Sequence, residues 1–143
     1  MRWQTAVVAV HVLTFLACAS PSDSGSPAAP TAARLDQAFT LAAGAVAVFD
    51  AEHLQVGFDR VLSDSRCPRG AQCIVEGEAT VRVWLSKSPR GKENRDLKTT
   101  PNALEAAYDA YRIKLVTLEP YPGVDRAVRP SEYAATLLVS RSR

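Results

Sequence analysis

The sequence predicts an all-β domain, a small β-sandwich with a barrel as the alternative, carrying one short helical segment. Three observations predict it. Val75, Gly77, Ala79, Val81, Val83 and Leu85 alternate with Glu76, Glu78, Thr80, Arg82 and Trp84, a period-2 pattern that turns the first set toward a core. Short apolar runs separated by turn-forming residues recur through residues 36–143, which gives six or seven strands. Stretches with a helical period are few and short. The span is long enough for one domain around one core.

Residues 1–17 read as an export signal. Arg2 and the free amine supply a minimal positive region, and an apolar run from Ala6 to Leu16 follows. The run is too short to cross a membrane as a helix, which takes about 20 apolar residues. Phe15-Leu16-Ala17-Cys18 resembles a bacterial lipobox, although Phe15 stands where the motif usually has leucine. The alternative is an ordinary signal cut after Ala17 or Ala19. Lipidation of Cys18 is expected, because that cysteine is otherwise an unpaired thiol in an exported protein. Two or more acyl chains on one residue give stable anchoring. Residues 18–35, rich in Ser, Pro and Ala, read as a flexible tether with a reach on the order of 20 Å.

The β-domain, residues 36–143, then takes shape in order. Ala38–Leu41 and Ala45–Phe49 are two short strand pieces hinged at Gly44, since Val46, Val48 and Phe49 favour sheet and glycine breaks a helix. Asp50–His53 is a turn, and Leu54, Val56 and Phe58 alternate on its far side, so the pieces around Asp50 read as a hairpin. Gly77, on the core side of its strand, implies a bulge or the close approach of another backbone. Residues 86–96 read as a solvated charged connection and Leu97–Thr100 as a short strand. Asn102–Ala110 is the helical segment. Tyr111, Ile113 and Leu115 alternate, and Val116 with Leu118 implies a central strand or a bulge near Val116. An aromatic before proline makes Tyr121–Pro122 the candidate for a cis bond. Tyr133 to Val139 is the last strand.

Cys67 and Cys73 close the loop that opens the most regular strand. A redox dithiol usually has Cys-x-x-Cys spacing, and a zinc site needs about four Cys or His ligands; neither is present, so the pair reads as a structural disulfide. Closing so short a ring stabilises by about 2 kcal/mol in the chain-entropy picture. Asp64, Ser65 and Arg66 read chiefly as loop architecture, with Arg66 pairing with Asp64 or forking onto backbone carbonyls.

Charge narrows the function. The net charge is +2, and removal of Arg2 with the signal leaves an excess of one basic residue. Nucleic acid, which requires a concentrated basic stripe, is not an expected partner. No cofactor and no metal is expected. After export only His53 remains of the two histidines, and no Gly-x-Ser-x-Gly turn accompanies it. Glu76 and Glu78, about 7 Å apart on one strand face, have the chemistry for an acid–base pair or, with Asp64, for Ca²⁺, but polar-out alternation produces that spacing by itself.

Phe39-Thr-Leu-x-x-Gly44, Leu54-x-Val-x-Phe58, Asp64-Ser-Arg-Cys-Pro, Cys73, Gly77-Glu-Ala, Tyr111-x-Ile-x-Leu, Pro120-Tyr-Pro and Tyr133-x-Ala-x-Leu-x-Val occur in one order. The chain thereby resembles a group of uncharacterised small exported bacterial proteins, many of them lipoproteins. The resemblance spans residues 36–140 and implies a compact β-domain with the Cys67–Cys73 bridge, and no activity.

The expected function is that of a lipid-anchored module on the bacterial cell envelope, periplasmic or surface-exposed. It is not expected to be an enzyme; it binds a protein, a glycan or a small ligand, and it meets the membrane through its anchor. The expected contacts are Arg82, Trp84, Glu76 and Glu78 on the polar strand face and Arg66 and Arg69 on the loop. The alternative is a protease-inhibitor-like loop presenting Arg66, Pro68 and Arg69, because a preorganised segment binds at lower entropic cost.

Overall fold

A computed structural model describes residues 29–142. The expected export signal, the expected lipidation at Cys18 and the expected tether up to residue 28 lie outside the described residues. Nine strands are present among the described residues: β1 Thr31–Ala32, β2 Ala38–Ala42, β3 Val46–Phe49, β4 Leu54–Asp64, β5 Ala79–Lys87, β6 Gly91–Lys98, β7 Glu105–Tyr108, β8 Tyr111–Glu119 and β9 Ala134–Arg141. They form two sheets, β1-β3-β4-β5-β6 and β2-β9-β8-β7, without closing a barrel. The fold is the expected all-β sandwich.

The core lies between the sheets. The first sheet sends in Phe49, Leu54, Val56, Phe58, Val81, Val83, Leu85 and Leu97; the second sends in Leu41, Tyr108, Tyr111, Ile113, Leu115, Leu118, Leu137 and Val139. These are alternate residues of their strands, as a pleated backbone with one dry face requires. At Gly44, φ +84°, the chain leaves the second sheet and enters the first. Val116 is extruded where the β8–β9 register slips between Leu115 and Thr117, which returns Leu118 to the interior. The bulge expected there is present.

Several elements differ from expectation. Thr31–Ala32, assigned to the tether, pairs in parallel with Ala47–Val48. The strand expected from Val75 starts at Ala79, because Gly77 at φ +69° interrupts the extended backbone. Residues 91–98, expected as a charged connection followed by a strand from Leu97, are β6, paired along its whole length with β5. The expected helical segment is a 3-10 turn, Pro101–Ala103, followed by strand β7. The cis bonds are Ser88–Pro89 and Glu119–Pro120, not Tyr121–Pro122.

Candidate functional site

The site is the end of the sandwich where the β4–β5 loop meets the β8–β9 loop. The first of these does not leave the sheet abruptly. Ser65 N–H donates to the Glu78 carbonyl and Cys67 N–H to the Glu76 carbonyl, both at 2.8 Å, so the ladder runs on past β4. Between those rungs sits Gly77, where a Cβ would lie 1.8 Å from the Ser65 carbonyl oxygen. Only glycine fits that backbone approach at that φ. The Cys67–Cys73 disulfide, with Cα atoms 6.0 Å apart, then closes the ring.

Beneath the ring lies Arg66, 6% exposed and the one charged residue in the buried set. Its Nε and Nη2 donate to the two carboxylate oxygens of Asp64 at 2.9 and 2.6 Å, and Nη1 and Nη2 donate to the carbonyls of Leu118 (2.8 Å) and Pro120 (3.1 Å). The Tyr133 hydroxyl donates to Asp64 at 3.0 Å. A guanidinium is a planar fork of five donors, and here the fork joins the end of β4 to the end of β8, while Tyr133, just before β9, is tied in through Asp64. Burial pushes the Asp64 carboxyl up, but the Arg66 side-chain and backbone bonds and the Tyr133 hydroxyl outweigh it and hold it below the ordinary aspartate range. Burial first, and the bond to Asp64 second, raise the Tyr133 hydroxyl to about 12.

The two loops are also stitched directly. Arg69 N–H donates to the Pro122 carbonyl at 2.9 Å, and Arg69 bridges to Gly123. The Tyr121 ring receives both arginines, Arg66 at 4.7 Å and Arg69 at 5.2 Å from its centroid. An open cleft of about 330 Å³ lies alongside, walled by Glu76, Gly77, Thr99, Thr100, Pro101 and Tyr121, with Arg66 at its base. At the tip, Ile74, Val75 and Val124 are 104%, 77% and 58% exposed.

The expected contacts therefore separate into two groups. Arg69 and Glu76 reach the rim. Arg66 is consumed by the clip, as its architectural reading required. Arg82 forks onto Asp96 through two bonds of 2.8 Å. Trp84 lies on Gly57, whose Cβ would fall 2.1 Å from the indole, and Lys92 Nζ stands 4.2 Å from the ring centroid. Glu78 is bound by Lys98 and by the Thr100 hydroxyl at 3.2 Å, and these hold its carboxyl below the ordinary range, the Lys98 bond foremost. With Gly77 breaking the alternation, Glu76 and Glu78 are not two free carboxylates on one strand face. Arg66 cannot be a displayed side chain of an inhibitor loop either.

His53 occupies the β3–β4 turn at φ +51°, at the opposite end of the sandwich. A depression of about 350 Å³ lies there, between Asp50, His53, Gln55 and Ser86–Ser88. Among the described residues no three His, Cys, Asp or Glu side chains gather as a metal would require.

The apolar tip and Tyr121 are the part of the site that sequence reasoning missed. The signal is the Ile74–Val75 pair following Cys73: the alternation carries Val75 to the core side through Gly77, and the close backbone approach expected at Gly77 is present but ends the alternation there. No family model, no curated protein and no solved structure matches this chain.

Proposed function

We propose that this chain is an exported, lipid-anchored cell-envelope module that binds a protein, glycan or small ligand without chemistry, and that it binds through the disulfide rim. The carrying observation is the exposed pair Ile74 and Val75 on a loop pinned by the bridge, by two ladder bonds and by the buried Arg66, with exposed Val124 on the β8–β9 loop stitched to it through Arg69. Apolar side chains held in water by a rigid backbone lose area to solvent only when a partner covers them, and a loop already fixed costs little further entropy on binding. The lipobox-like segment and the disulfide, which belongs to oxidising compartments, support the envelope location. The resemblance to small exported lipoproteins points the same way.

The test uses the chain from Ala19 onward as bait on envelope extract, beside a bait carrying Ile74→Asp and Val75→Asp. A partner held by the first and released by the second is the expected result. Equal retention by both overturns the rim as the binding surface. Mass spectrometry of the membrane-extracted protein is expected to find acyl groups on Cys18, and their absence overturns the anchor.

A further inference from the structure

β2 is the outermost strand of the second sheet and pairs only with β9. Ala43 N–H donates to the Tyr133 carbonyl, so in this register the odd residues Phe39 and Leu41 direct their backbone groups at β9. The N–H and C=O groups of Ala38 and Thr40, and the N–H of Ala42, then point the other way. No strand lies beyond them among the described residues. The Ala42 carbonyl accepts from Ala45 N–H and keeps a second lone pair.

Sheet edges are ordinarily guarded by charge, by proline, by shortness or by a cover. β6 carries Lys92, Glu93, Arg95, Asp96 and Lys98, and Arg95 Nε donates to the Ala107 carbonyl of β7 at 2.8 Å, so those two edges shield one another. β1 is two residues long. β2 reads Ala-Phe-Thr-Leu-Ala, and from Gln37 to Phe49 there is neither a charged residue nor a proline. It is a full-length edge without any of these guards.

We infer that β2 is the contact through which two copies of this chain pair, antiparallel, about a two-fold axis at Thr40. The inference is independent of the rim. In that register Thr40 faces Thr40 of the second copy and Ala38 faces Ala42: the Thr40 groups pair reciprocally, Ala42 N–H meets the Ala38 carbonyl, and Ala38 N–H meets the second lone pair of the Ala42 carbonyl. The side chains on the solvent face are Ala, Thr and Ala, small enough to pass. The Thr40 hydroxyl already bonds Thr136 at 2.9 Å, and pairing extends this into a ladder of four threonines. On the inner side half-buried Phe39 comes opposite Leu41 of the second copy. Two four-stranded sheets become one sheet of eight strands.

Sedimentation equilibrium of the chain from Ala19 onward, which holds every strand of the described residues, is expected to show a monomer–dimer equilibrium between micromolar and millimolar concentration. Thr40→Lys sets two ammonium groups face to face and is expected to weaken dimerisation about tenfold or more, with the circular-dichroism melt preserved. Thr40→Cys is expected to form a covalent dimer on oxidation. Ala38→Cys alone is not expected to do so, whereas an equal mixture of Ala38→Cys and Ala42→Cys is. Three results overturn the inference: a monomer throughout the range, including one that instead accepts an extended peptide at this edge; a dimer indifferent to Thr40→Lys; or crosslinking by Ala38→Cys alone as readily as by Thr40→Cys.

Discussion

The two ends of the sandwich are fastened by the same kinds of group in different surroundings. At the rim, Asp64, Arg66 and Tyr133 form a cluster in which the ion pair is 8% and 6% exposed. At the far end, Glu52 accepts from the Tyr111 hydroxyl and from Arg141, both at 2.7 Å, and Lys87 Nζ bonds the same hydroxyl at 2.8 Å. That cluster too joins a carboxylate, an arginine and a tyrosine hydroxyl, yet Arg141 is 65% exposed. A charge in water is nearly indifferent to losing its partner, whereas a buried charge left alone is not. The far end is decorated by its ion pair; the rim is built on one.

The largest test of this contrast is Arg66→Met, which leaves the Asp64 carboxylate with the Tyr133 hydroxyl as its one side-chain donor and the Leu118 and Pro120 carbonyls without the guanidinium. A loss of about 3–5 kcal/mol is expected from the urea midpoint. Adding Asp64→Leu is expected to return part of that loss, and strict additivity of the two would refute the coupling. Gly77→Ala comes next: holding an alanine at that φ costs about 1–3 kcal/mol, and the contact with the Ser65 carbonyl adds to it. Replacing both Cys67 and Cys73 by serine is expected to cost about 2 kcal/mol, with the thermal midpoint lowered and the far-UV spectrum unchanged.

Titration sharpens the same comparison. Because the Asp64 carboxyl is depressed in the fold, its contribution is complete above its unfolded value near 3.8 and disappears as the pH falls below it. Tyr133 runs the opposite way: its contribution is complete below 10.0 and is lost as the pH rises toward about 12. Melts across both windows are expected to lose their pH dependence most in the Asp64→Asn, Tyr133→Phe double variant. The smallest effect is expected from Glu52→Gln and Arg141→Ala, which should leave the melting midpoint unchanged at neutral pH. A large shift there would erase the distinction between the two ends.

The strands with one dry face were legible because alternation is enforced by burial: β4, β5 from Ala79 onward, β8 and β9 all show it. β6 was not, since only Leu97 among its residues is buried. An edge strand whose order comes from cross-strand pairs such as Arg82–Asp96 has no apolar period to display. β7 was hidden by alanine, whose helical preference at 106 and 107 is overridden by pairing with Arg112 and Ile113. At the site, Asp64 and Arg66 were legible as a pair because they are two residues apart. Their remaining partners, Leu118, Pro120 and Tyr133, are more than fifty residues away, and nothing local marks them. Glu78 and Arg82 were misjudged for the same reason, as Lys98 and Asp96 come from a strand that carried no signature.

The placement of Trp84 on Gly57 has an optical consequence. All four tyrosines, at 108, 111, 121 and 133, belong to the second sheet or to the loop leaving it, whereas Trp84 is the only indole among the described residues and lies on the outer surface of the first. The two halves of the molecule thus carry different chromophores. Near-ultraviolet absorbance of the phenols and emission of the indole can follow their melting separately without any added label, and energy transfer between them fades when the layers part.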